Sequence, residues 1–257
     1  MGTNDSAGLD QSWARMLPAR VAREVILRGA LGPLMSRYSR LRVTGLQQLG
    51  DTDGSVIFVA NHCSHVDTPV LLRALPGRWR RRTAVAAAAD YFYTRPLLAK
   101  AVSLAFGTVP LERRAGMDAD PAAIMSELVD GRWSLVVYAE GTRSRDGRVG
   151  PLRSGAALLA AEFGVPIVPV HIAGTHAAMP PGRHWMVHPE GAGPHARHTL
   201  SVSVGAPIHV GPRDDRFEAM ERVRLFMETC GAQTTPDPKL LARRAAAAAK
   251  AAQAHPV

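Results

Sequence analysis

Short, largely apolar runs separated by helical stretches set the fold class of this chain. Residues 55–60 (Ser-Val-Ile-Phe-Val-Ala), 134–139 (Ser-Leu-Val-Val-Tyr-Ala) and 167–172 (Ile-Val-Pro-Val-His-Ile) are too short to be buried helices and read as strands covered on both faces. Residues 41–44, 83–89 and 199–204 add further strands. Helices fall between them. Residues 68–74 form one; Asp120-Pro121 starts a second that Gly131 closes; residues 154–163 form a third, ended by Gly164. Asp214 caps a fourth running to about Cys230, with Phe217, Met220, Val223 and Met227 at helical spacing. This alternation predicts an α/β fold: a single domain over residues 41–230 with helices packed on a mixed, mostly parallel sheet.

The ends differ from the middle. Residues 1–40 read as an N-terminal amphipathic helical segment, in which Leu17, Val21 and Val25 share one face among five arginines (Arg15, Arg20, Arg23, Arg28 and Arg37). Gly32-Pro33 is expected to break or kink it. That face either covers the core or lies in a membrane interface with its arginines on anionic headgroups. Residues 231–257 are Ala-rich without an apolar stripe and are expected to be a mobile tail.

Composition narrows the class. With 46% hydrophobic and 21% charged residues the chain is globular, and 31 Lys+Arg against 22 Asp+Glu leave a net charge of +9. Two cysteines, Cys63 and Cys230, build no disulfide framework, so a reducing cytosolic setting is expected. The longest stretch free of charged side chains, 163–182, contains Pro166, Pro169, Pro180 and Pro181 and cannot be a continuous spanning helix. No secretory signal pattern follows Met1. Arg73, Arg78, Arg80, Arg81 and Arg82 form a basic cluster with only Trp79 interleaved, which favours an anionic bilayer over nucleic acid as its partner.

The densest chemistry is Ala60-Asn61-His62-Cys63-Ser64-His65-Val66-Asp67, at the end of a buried strand, where sites collect in open α/β sheets. A histidine takes a proton from an alcohol at neutral pH, and does so best when a carboxylate holds its other ring nitrogen. His62 and Asp67 are five residues apart, about 140° around a regular helix, so they meet only if the chain turns between them. Metal ligation by His62, His65, Cys63 or Asp67 lacks a second ligand cluster, and no metal site is expected. Asp67 as a helix cap beside a surface His62 is the bland alternative.

Three further blocks decide between these readings: Phe106-Gly107-Thr108-Val109-Pro110-Leu111-Glu112-Arg113, then Tyr138-Ala139-Glu140-Gly141-Thr142-Arg143, then Val165-Pro166-Ile167-Val168-Pro169-Val170. With Asn61-His62 and Asp67, their order and separations resemble the glycerolipid acyltransferase family, typified by 1-acylglycerol-3-phosphate acyltransferases. The likeness spans about residues 41–208. Ala139 stands where family members commonly have proline, and Pro110 and Glu112 where an apolar residue and aspartate are frequent.

The resemblance implies transfer of a fatty acyl group from a thioester of coenzyme A or acyl carrier protein to a hydroxyl of a glycerol-phosphate lipid. Lysophosphatidate is the leading acceptor; glycerol-3-phosphate, another lysophospholipid or a glycolipid are alternatives, and a non-catalytic basic membrane-binding protein is the rival from another class. It implies His62 as general base, oriented by Asp67, with Arg113 and Arg143 on the acceptor phosphate. Glu140, Gly141 and Thr142 belong to the substrate site; Glu140 either holds an arginine or bonds an acceptor hydroxyl. Asn61 and Gly107 support the site, and Pro166 and Pro169 shape an apolar wall near the acyl chain. No resident cofactor is implied. The expected place is cytoplasmic, peripheral on the inner face of the plasma membrane.

Overall fold

The computed structural model describes residues 12–50, 52–88, 96–111, 120–193 and 195–254. Seven strands make one sheet: β1 (Ser39–Thr44), β2 (Ile57–Ala60), β3 (Thr83–Ala88), β4 (Thr108–Leu111), β5 (Ser134–Tyr138), β6 (Ile167–Ala173) and β7 (His198–Val204). Their order is β1-β7-β6-β2-β5-β3-β4, and every neighbouring pair is parallel except β6 with β7. The sheet is therefore mixed and mostly parallel, as the alternation of elements predicts. β4 is the strand that the periodicity does not show.

Burial of both faces explains why the central strands are apolar runs rather than alternating ones. Phe58, Ala60, Val136, Val168 and Val170 point to one side, against Leu27 and Met35 of the N-terminal arm and Val70 and Leu71 of α3 (Asp67–Ala74). Ile57, Val59, Leu135 and Ile167 point to the other. There they meet α6 (Pro121–Asp130) through Met125 and Leu128, α7 (Gly155–Phe163) through Ala156 and Ala160, and α9 (Arg216–Thr229) through Val223 and Met227.

The N-terminal arm comprises α1 (Leu17–Val25), a wider-wound turn over Ile26–Leu31 and α2 (Gly32–Tyr38). The expected break at Gly32-Pro33 does not occur. The Gly32 N–H reaches back five residues to the Leu27 carbonyl, and this wide turn lets Pro33 enter the first turn of α2, where its missing N–H costs nothing. Arg23 pins α1 to α5 (Pro96–Phe106): its buried guanidinium donates to the carbonyls of Ala14 (2.7 Å), Ser103 (3.1 Å) and Leu104 (3.1 Å). The arm thus packs inward through Leu27 and Met35, yet Leu17, Val21 and Val25 stay 67%, 55% and 65% exposed.

The Ala-rich end also departs from expectation. Instead of a mobile tail, Pro238–Ala254 form a helix, α10, in which Leu240 is buried and the pairs Arg243–Asp215 (2.8 Å) and Arg244–Glu218 tie it to the start of α9. High alanine content supplies the propensity and two arginines supply the docking. Two short helices, α4 (Gly77–Arg80) and α8 (Thr175–Ala178), complete the fold.

Candidate active site

The chain leaves β2 toward β3, beyond β5, and leaves β5 toward β6, on the other side of β2. Connections that diverge in this way open a crevice at the carboxyl ends of the two strands. Asn61 follows β2 directly and extends its ladder by side chain: Nδ2 donates to the Ile172 carbonyl at 2.9 Å, and Oδ1 accepts the Ile172 N–H at 2.8 Å. With β6 held this way, the backbone at 61–66 is free to turn away from the sheet.

That turn brings His62 to Asp67. Asp67 is the first residue of α3 and fully buried. One of its oxygens, Oδ2, accepts the N–H groups of Cys63 (2.7 Å) and Ser64 (2.8 Å) and faces His62 Nδ1 at 2.8 Å. A carboxylate only accepts, so Nδ1 carries the proton and Nε2 presents its lone pair. Nε2 has no partner among the described residues, and the ring is partly exposed at the crevice.

Three contacts fix the ring and its backbone. The imidazole stacks on Tyr138, with centroids 4.1 Å apart and planes at 18°. The Tyr138 hydroxyl is anchored in turn by Thr68 Oγ1 at 2.8 Å. Glu140 bridges the two strand ends: Oε1 accepts the His62 N–H at 2.8 Å and Oε2 the Gly150 N–H at 2.9 Å. Burial raises the Glu140 carboxyl above its ordinary value, while these two bonds pull it down. Of the two roles open to Glu140 from sequence, the geometry shows neither; both oxygens serve backbone.

Gly141 turns the chain with φ +74°, and a Cβ there would lie 2.8 Å from Arg153 Nε. Thr142 and Arg143 follow, exposed. Arg143 has no carboxylate partner among the described residues, and after burial its charge is the next cause holding His65 below the ordinary histidine value. Cys63 is not poised as a nucleophile: burial first, then the Asp67 charge, push its thiol up to about 12, and Sγ lies 3.2 Å from Thr175 Oγ1.

Asn61, His62, Asp67, Glu140, Gly141, Thr142 and Arg143 therefore gather at one crevice. Of the remaining sequence candidates, Gly107, Pro166 and Pro169 do not. Gly107 sits at the amino end of β4 with φ +69°, where a Cβ would come 2.9 Å from Arg23 Cζ; the residue makes room for the arginine that pins the arm. Pro166 lies at the amino end of β2, its carbonyl accepting the Ile57 N–H at 2.9 Å. Pro169 is inside β6 where the ladder with β7 has ended, so its missing N–H is not needed, and it packs beside Phe226 rather than in the crevice. Arg113 lies outside the described residues. Tyr138, Thr68 and Gly150 are contributors that no spacing rule reveals, because each acts through its position in the folded turn.

The acyltransferase family model matches residues 40–173, more than half of the chain. A chloroplastic 1-acyl-sn-glycerol-3-phosphate acyltransferase of Brassica napus, BAT2, is 35% identical over 149 residues, 56% of this chain and 40% of its own length. The chloroplastic LPAT1 of Arabidopsis thaliana, named for the same activity, is 30% identical over 181 residues, 69% of this chain and 46% of its own. The chain thus spans less than half the length of these relatives. The fold is that of the crystal structure of the 1-acyl-sn-glycerophosphate (LPA) acyltransferase PlsC from Thermotoga maritima, with TM-score 0.58 at 23% identity over 86% of this chain and 83% of that one. With the blocks at Asn61, Glu140 and β6 inside the matched span, this chain belongs to the acyltransferase family.

Proposed function

We propose that the protein transfers a fatty acyl group from an acyl thioester of coenzyme A or acyl carrier protein to the free hydroxyl of lysophosphatidate, giving phosphatidate in phospholipid synthesis. The observation that carries the reading is the His62–Asp67 pair, with Nδ1 held at 2.8 Å and Nε2 open to the crevice. Nε2 takes the acceptor hydroxyl proton as its oxygen attacks the thioester carbonyl. Collapse of the tetrahedral intermediate breaks the C–S bond, and the departing thiolate receives that proton. The thioester is already activated, so no serine or cysteine nucleophile is needed, consistent with the buried, raised thiol of Cys63. The named activity of the relatives supports lysophosphatidate as acceptor.

The test is acceptor-dependent thiol release from a long-chain acyl-CoA, run with lysophosphatidate, glycerol-3-phosphate and lysophosphatidylcholine in parallel. Release fastest with lysophosphatidate supports the reading; preference for another acceptor reassigns it, and release without acceptor marks a hydrolase.

Arg143, whose charge reaches His65 beside the pair, would meet the acceptor phosphate through charge-assisted hydrogen bonds. Arg143→Ala is expected to raise the acceptor KM about 10-fold or more, the size of one charged hydrogen bond, with the thioester KM little changed. Equal effects on both substrates would exclude phosphate binding.

α5, which Arg23 ties to α1, adds two more exposed apolar side chains, Leu97 and Leu98. Beside arginines and a net charge of +9, this face suits the anionic cytoplasmic surface of the plasma membrane. Among the described residues no helix is long and apolar enough to cross a membrane. Leu17→Glu with Val21→Glu is expected to reduce sedimentation with phosphatidylglycerol vesicles by at least about 10-fold, since each apolar side chain entering lipid contributes about 1.5–3 kcal/mol. The melting temperature should not move; unchanged sedimentation would remove the face from membrane contact.

A further inference from the structure

The N-terminal arm and the α3–α4 corner enclose a basin of about 600 Å³ on the molecular surface. Pro33 and Ser36 of α2 form one wall, and Arg28, Arg73, Arg80 and Arg81 converge from both sides. No carboxylate lines it. Glu24 gives both oxygens to Arg80, at 2.8 and 2.9 Å, and from outside the lining its charge also reaches Arg81 and Arg28. Arg28, Arg73 and Arg81 are left without ion-pair partners among the described residues.

Two glycines bring these guanidinium groups against the backbone. Arg73 lies beside Gly32, where a Cβ would be 3.6 Å from Nε, and Arg81 folds over Gly77, where a Cβ would be 2.8 Å from Nη1. The one polar side-chain contact of Arg73 is a long one, Nη2 to Ser36 Oγ at 3.4 Å. Half-buried and unpaired, its guanidinium is held below the ordinary arginine value by desolvation alone. A bound anion would relieve that cost.

The basin is not the crevice of His62. Arg82 opens β3, and its carbonyl accepts the Ser134 N–H at the start of β5, so this corner lies at the amino ends of strands whose carboxyl ends hold the catalytic pair. β2 alone spans about 13 Å between the two ends. A phosphate in the basin therefore cannot belong to a glycerol whose hydroxyl is on His62.

We infer that this basin is a second ligand site, taking a phosphomonoester dianion, carried by a lipid headgroup or as free phosphate. Three guanidinium groups without carboxylates match the bidentate geometry and charge of a phosphate dianion. A neighbouring basin of about 470 Å³ shares Pro33 and Ser36 and adds Arg37 and Arg197, so the positive surface continues along α2.

Calorimetric titration of the full chain with hexyl phosphate, inorganic phosphate and hexanol tests this. Hexyl phosphate carries no acceptor glycerol, and a further binding event at the His62 crevice is identified with Arg143→Ala. The expected result is one saturable event that Arg73→Gln with Arg81→Gln weakens at least about 30-fold and Arg143→Ala leaves in place. Arg213→Gln with Arg222→Gln removes the same charge from the other side of the sheet and should not change it; all variants are checked for an unchanged melting temperature. Equal weakening by both double variants, or a titration that Arg73→Gln with Arg81→Gln does not alter, would overturn the site. Tighter binding of hexyl phosphate assigns the lipid headgroup as the source, equal affinity for inorganic and hexyl phosphate assigns free phosphate, and binding of neither overturns the site. Failure of the acyl transfer assay leaves each of these outcomes readable.

Discussion

Asp67→Asn is expected to lower acceptor-dependent thiol release by about 10²–10⁴-fold, the range of general-base assistance, in a protein that still folds. Asparagine keeps the shape, and its single carbonyl oxygen can still accept the Cys63 and Ser64 N–H groups that Oδ2 now accepts. What disappears is the negative charge 2.8 Å from His62 Nδ1, and with it the stabilisation of the imidazolium as the acceptor proton arrives. His62→Ala should cost as much or more. Because the two residues act as one unit, adding Asp67→Asn to His62→Ala should slow the reaction no further. Steady-state kcat, measured beside the melting temperature, checks both statements. Additive losses would mean that Asp67 acts elsewhere, and turnover near wild type in folded His62→Ala would remove His62 as the base.

The pair was legible in sequence because its chemistry is local. Asn61, His62 and Asp67 lie within one turn at the end of an apolar run, and the run itself follows from burial on both faces of the sheet. The contacts that fix the pair were not legible, although the Glu-Gly-Thr-Arg block puts Glu140 in the site. Tyr138 and Glu140 come from a different strand, and only the pairing of β2 with β5, Ala60 opposite Tyr138, brings them alongside His62. Non-local register of that kind leaves no periodic trace in either segment. Gly107 was legible only as a glycine that a side chain would obstruct; the folded chain supplies the obstruction, a positive φ and the Arg23 guanidinium that pins the arm. In the Ala-rich end, alanine propensity made a helix legible but not its docking, which rests on Arg243 and Arg244 with buried Leu240, too few residues to make an apolar stripe.

Glu140 separates a binding role from a positioning role most sharply. Glu140→Gln leaves one oxygen for two backbone donors, so its amide group must face the N–H of either His62 or Gly150. An unsatisfied buried donor costs about 1–3 kcal/mol, and the loss should fall toward the lower end because the amide escapes the burial cost that raises the Glu140 carboxyl. The direction of that shift fixes the pH dependence. A carboxyl with a raised folded value binds its proton more tightly folded than unfolded, so wild-type stability falls as pH rises from the ordinary carboxylate range through the raised value. Glutamine does not titrate. The stability advantage of wild type over Glu140→Gln should therefore be larger at about pH 4 than at pH 7, read from urea unfolding of both proteins; an advantage that grows with pH would reverse the sign of the shift. Catalysis should respond through the His62 backbone alone, with kcat down by roughly 10-fold or more and the acceptor KM unchanged, since neither Glu140 oxygen is free to meet substrate. A raised acceptor KM at unchanged kcat would instead mean that the carboxylate leaves His62 and Gly150 to bind the acceptor when it enters.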